Sequence, residues 1–81
     1  MKLKNGYYIE KENELYKIKP LEKNITLSEI GVFLWKCTKE KDLNSNELLN
    51  LLLDKFQIST VLALGEIDTF IKICKENGIF E

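Results

Sequence analysis

The apolar residues of this chain change their spacing once, at Ser28, from every second position to the three- and four-residue steps of a helix. Before the switch, Tyr7, Ile9 and Lys11 alternate with Tyr8 and Glu10, and a second alternation runs through Leu15, Tyr16, Lys17, Ile18 and Lys19. Glu12, Asn13 and Glu14 between them make a polar turn, so the two runs predict a β-hairpin. Pro20 has no N–H to give to a ladder and ends the second strand. Glu22, Lys23 and Asn24 form another polar turn, and a brief third strand over 24–27 completes a three-stranded antiparallel meander.

After the switch, Ser28 reads as an N-cap with Glu29 in the first turn. Ile30, Phe33, Leu34 and Cys37 then recur as one buried face of a helix over about 29–39. Lys39 to Asp42 is a charged connection. Asn44 with Glu47 three residues on resembles a capping box that opens a second helix running to about Phe56. Ser59 or Thr60 caps a third helix, whose stripe is Ala63, Ile67, Phe70, Ile71 and Cys74. Gly78 stands where a left-handed residue closes a helix, and Ile79 and Phe80 are expected to fold back onto the core. The 81 residues therefore predict a single α+β, winged-helix-like domain: a three-stranded antiparallel β-meander followed by three α-helices.

Composition narrows the chemistry. All 12 cations are Lys and stand against 13 acids, for a net charge of -1. A domain that grips phosphates usually has a basic excess, and the Arg fork that reads guanine edges is missing, so nucleic acid is not the expected partner. Histidine is absent too. That removes the commonest general base at neutral pH and the commonest metal ligand. Cys37 and Cys74 lie far apart with no CxxC spacing and read as core thiols rather than a zinc or redox pair. No catalytic residue, metal or cofactor is expected. The N-terminal residues scatter Lys and Glu without a signal-peptide apolar run, and the longest near-apolar run, Leu48 to Leu53, is broken by Asn50. A cytoplasmic protein with no membrane span is the expectation.

The run LSEIGVFLW, from Leu27 to Trp35, closely resembles the L-N-E-T-G-x-x-I-W run of PqqD-like proteins. The spacing onward to DLNSNELLNLLLDKF and EIDTFIKICKENGIF fits that family as well, so the resemblance covers most of the chain. The sequence departs from the pattern at Ser28, where Asn is usual, at Ile30, where a small residue is usual, and at Glu66, where Asp is common. The resemblance implies a precursor-peptide recognition element of ribosomally made, post-translationally modified peptides. It also implies that the precursor's leader lies as an added strand beside the third strand, in a cleft walled by the third helix. The implied partners are that leader and a modifying enzyme, a radical SAM enzyme or, in lasso-type systems, a leader peptidase.

Such a groove needs an edge strand with free backbone groups, which Asn24, Ile25, Thr26 and Leu27 would supply as the last strand of a meander. On a helical wheel, the flank of the third helix beside its core stripe carries Leu62, Glu66, Thr69 and Ile73. Leu62 and Ile73 are apolar where a two-faced helix would be polar, and this flank is read as the groove wall. The alternative is that they only widen the core stripe. Trp35 and Phe33 fit a partner surface or the core, with the core favoured for Phe33. Tyr7, Tyr8 and Tyr16 read as cross-strand aromatic pairs. Lys17, Lys19 and Lys23 read as guards of an exposed edge or as partners for acidic leader residues. Glu66 has no second carboxylate or nucleophile at useful spacing, which argues against catalysis. The sequence thus points to a non-catalytic leader-peptide-binding module. A winged-helix nucleic-acid-binding regulator and a structural subunit of a larger assembly are the alternatives.

Overall fold

A computed structural model describes residues 1–81 as three strands followed by three helices. Strands β1 (Tyr8–Glu12), β2 (Leu15–Lys19) and β3 (Thr26–Leu27) form one antiparallel sheet in sequence order. The β1–β2 register pairs Tyr8 with Lys19 and Glu12 with Leu15, leaving Asn13 and Glu14 as a two-residue hairpin loop. Both take positive φ, 47° and 71°, the signature of a type I′ turn, whose twist matches that of the strands it joins. β2 stops at Lys19, ahead of Pro20.

β3 is shorter than the sequence reading. Its ladder with β2 covers only Lys17 with Thr26 and Tyr16 with Leu27. The Ile25 carbonyl accepts from the Ile18 N–H at 3.0 Å, but the Ile25 N–H turns back to the Lys23 carbonyl at 3.0 Å. A three-residue turn there claims the donor that would have extended the strand to Asn24.

Helices α1 (Glu29–Glu40), α2 (Ser45–Lys55) and α3 (Thr60–Glu76) each begin on a side-chain cap. The Ser28 hydroxyl accepts from the Gly31 N–H, and Asn44 and Glu47 close a reciprocal capping box. Ser59, not Thr60, caps α3 by accepting from the Leu62 N–H. At the other end of α3 the Gly78 N–H donates to the Lys75 carbonyl and the Ile79 N–H to the Cys74 carbonyl. With Gly78 at φ 63°, this is a Schellman motif, and it turns Ile79 straight into the core, where it is fully buried. Phe80 then bridges to Leu3, and its ring meets Phe70 edge-on at 5.9 Å. Leu3 itself is buried, its N–H donating to the Thr38 carbonyl. It escaped the sequence reading because it is a lone apolar residue between two lysines.

One contiguous core joins Ile18 and Leu27 of the sheet to Leu34, Trp35, Leu48, Leu52, Ile67 and Phe70 of the helices. The buried face of α1 differs from the expected one: Gly31, Leu34, Trp35 and Thr38 are buried, while Ile30, Phe33 and Cys37 are only partly so. Thr38 is admitted to the core because its hydroxyl donates to the Leu34 and Trp35 carbonyls, at 2.9 and 3.2 Å. Phe33 packs instead edge-on against Phe56, at 5.5 Å, in the joint between α1 and the end of α2. The tyrosines do not pair with one another: Tyr8 lies opposite Lys19, and Tyr16 carries the Lys11 ammonium 5.4 Å from its ring centre. No helix is long and apolar enough to cross a membrane.

Candidate functional site

Between β3 and α3 the surface opens into a cleft of about 150 Å³. Five of the residues singled out from the sequence line it: Thr26 and Leu27 from the strand, and Glu66, Thr69 and Ile73 from the helix. Ser28, Gly31 and Phe70 complete it. Asn24 and Ile25 stand outside it, ahead of the strand, and so does Leu62, which is 49% exposed at the far end of α3.

Each wall has a local cause. β3 is the outer strand of the sheet, so one side of its backbone has no partner strand. The Ile18 N–H points at the Ile25 carbonyl, so by the alternation of an antiparallel ladder the Ile25 C=O and the backbone groups of Leu27 turn toward β2, while Thr26 turns its N–H and C=O to the open edge. Leu27 is buried and forms the floor. Gly31 lets α1 start directly behind it, since a Cβ at that position would lie 3.2 Å from the Leu27 Cβ. On α3, Ile67, Phe70 and Cys74 face the core, which swings Glu66, Thr69 and Ile73 along the neighbouring flank toward the strand.

Ser28 ties the two walls together. Its hydroxyl donates to Glu66 Oε2 at 3.1 Å while accepting from the Gly31 N–H at 3.0 Å. One side chain thus caps α1 and fixes the Glu66 carboxylate across the cleft. Sequence reasoning recognised the cap but not the second bond, which spans 38 residues. Glu66 Oε1 and the exposed Thr69 hydroxyl carry no protein hydrogen bond. They are available beside the unpaired backbone of Thr26.

Of the three lysines expected near the strand edge, Lys17 and Lys19 are engaged elsewhere, and Lys23 lines a separate hollow with Pro20 and Asn77. Lys17 lies 2.8 Å and Lys19 3.9 Å from the two oxygens of Glu12, on the sheet face away from the core. The hydrogen bond and charge of Lys17, followed by the charge of Lys19, hold the Glu12 carboxyl below the usual carboxylate range. Neither lysine lines the cleft. Burial pushes the Cys74 thiol up to about 12, an inert core group. No three acidic or cysteine side chains converge closely enough to hold a metal ion.

Comparison with family models, with curated proteins and with solved structures returned no match. The cleft itself offers a free strand edge, an apolar lining of Leu27 and Ile73, and polar groups at Glu66 and Thr69.

Proposed function

We propose that this protein binds the leader segment of a ribosomally made precursor peptide in the cleft between β3 and α3 and presents it to a modifying enzyme. The observation that carries the reading is the juxtaposition of the unpaired Thr26 backbone with Leu27, Glu66, Thr69 and Ile73. A peptide strand added at Thr26 gains main-chain hydrogen bonds, and every second side chain along it faces the cleft. The cleft is smaller than the roughly 300–1,000 Å³ of small-molecule sites, which suits the anchoring of one side chain with the peptide backbone outside. Glu66 Oε1 accepts from a peptide N–H or hydroxyl, and Thr69 serves as donor or acceptor. The resemblance to PqqD-like proteins gives the occupant its identity as a leader, and gives the enzyme as a radical SAM enzyme or a leader peptidase. The protein acts by holding the peptide, in the cytoplasm, and bond-making belongs to the partner.

The test is titration of isotope-labelled protein with synthetic leaders of precursor peptides encoded beside its gene. Amide shifts should concentrate at Thr26, Leu27, Glu66, Thr69 and Ile73, and Ile73→Ala should weaken binding about tenfold. Saturating peptide that leaves the amides of 24–27 and 61–74 unmoved refutes the assignment.

A further inference from the structure

The other edge of the sheet has a groove of its own. Between β1 and α1 lies a cavity of about 300 Å³ whose floor is Ile9, Tyr16, Val32 and Trp35. Lys11, Lys36 and Lys39 form its rim, and no acidic residue lines it. Val32, Lys36 and Lys39 recur on one face of α1 at four- and three-residue steps, and Lys11 reaches the same space from the strand.

These three cations are unneutralised. The molecule's ion pairs join Met1 to Asp42 and Lys17 and Lys19 to Glu12, so no carboxylate lies within 4.0 Å of Lys11, Lys36 or Lys39. Glu40, the acid that follows Lys39, lines a different hollow between α1 and α2. A chain with net charge -1 has thus gathered three ammonium groups with no carboxylate partner around one apolar floor, that of Lys11 lying over the edge of it at the Tyr16 ring.

The backbone at this edge is also free. Ile18 and Tyr16 turn their N–H and C=O groups toward β3, so their β1 partners, Ile9 and Lys11, sit in non-hydrogen-bonded pairs and direct theirs outward. An extended segment laid along β1 meets main-chain donors and acceptors at those two residues. It also meets an apolar pocket beside them and positive charge on both banks.

We propose that this groove docks an acidic, extended segment of a partner protein, anchored by one apolar side chain on the Tyr16–Trp35 floor and held by Lys11, Lys36 and Lys39. The surface is separate from the β3–α3 cleft and shares no residue with it. A module with two occupied edges holds two chains at once.

The probe is the peptide acetyl-Asp-Glu-Phe-Glu-Asp-amide, titrated to roughly 1 mM against labelled protein and compared with its Asn/Gln analogue and with an eight-nucleotide oligothymidylate. The acidic peptide should shift the Trp35 indole and the amides of Ile9, Lys11, Val32, Lys36 and Lys39. It should bind about tenfold more tightly than the neutral analogue and lose that advantage in high salt. Lys36→Glu combined with Lys39→Glu should abolish the shifts in a protein that stays folded, because both side chains are exposed, the acids now in the last turn of α1 lowering the thermal midpoint only slightly. The proposal is overturned by an unmoved Trp35 indole, by equal binding of the neutral peptide, or by oligothymidylate binding more tightly than the peptide. It is also overturned by acidic-peptide shifts confined to Thr26, Glu66, Thr69 and Ile73, which would place that peptide in the cleft and leave the leader reading standing.

Discussion

Truncating three side chains of α3 to Ala separates core from cleft wall by magnitude. Phe70 is 1% exposed and touches Phe80 edge-on, so Phe70→Ala removes a full aromatic burial and an aromatic pair, costing about 3–5 kcal/mol. A domain of this size holds roughly 4–12 kcal/mol in total, and the variant is marginal or unfolded at room temperature. Ile73 is only partly buried, with its outer side in the cleft, so Ile73→Ala forfeits about half of a core isoleucine, ~1–2 kcal/mol. Leu62 is 49% exposed and outside the cleft, and Leu62→Ala should cost at most about 0.5–1 kcal/mol. Urea melts followed by the fluorescence of Trp35, which is 2% exposed, read all three, with unchanged slope as the check that the unfolded states match. Leader affinity should fall for Ile73→Ala and stay within about twofold for Leu62→Ala. If Ile73→Ala costs as much as Phe70→Ala, Ile73 belongs to the core and the cleft loses its apolar wall. If Leu62→Ala abolishes binding in a folded protein, the bound peptide extends a full helical turn beyond the strand.

Three further outcomes follow from other parts of the molecule. Glu14 holds φ 71° at the second position of a type I′ turn, where glycine is unstrained, so Glu14→Gly should raise the stability of the protein by up to ~1 kcal/mol in urea melts. Ellman's reagent should titrate Cys37 in the native protein and Cys74 only after denaturation, because Cys74 is fully buried and its thiol is pushed up to about 12. The Glu12 carboxyl is held low by Lys17 and Lys19, so its contribution is present above the usual carboxylate range and is lost as pH falls through its lowered folded value. Glu12→Gln should therefore flatten the acid side of the stability curve and leave its difference from the natural protein constant above about pH 6.

How much of this was legible in the sequence depends on the range of the interactions that decide each feature. Helix starts and the α3 stop are set by bonds between residues three to five apart, and Ser28, Asn44 with Glu47, Ser59 and Gly78 all act where their spacing puts them. The α1 face was misjudged by one position because Thr38 counts as polar until its hydroxyl is seen to bond the Leu34 and Trp35 carbonyls. The order of strands and helices followed from the single change of period at Ser28, while the length of β3 turned on where one N–H, that of Ile25, goes.

The cleft shows the same division in a sharper form. A helical wheel gives the direction in which Leu62, Glu66, Thr69 and Ile73 point, and the structure keeps that common direction for the last three. It carries no information about height along the axis. α3 has 17 residues and is about 25 Å long, whereas the two residues of β3 span only about 7 Å. Glu66 to Ile73 covers roughly 10 Å of helix, about 3 Å more than the strand, and Leu62 lies about 6 Å beyond it. The height is set by the burial of Ala63, Ile67, Phe70 and Cys74 in the core, and it brings Glu66 level with the corner where β3 meets α1, where the Ser28–Glu66 bond forms. That contact joins two residues whose individual signals, a helix cap and an isolated acid, give no hint of each other. The cleft's direction is therefore a property of the α3 sequence alone, and its position is a property of tertiary packing.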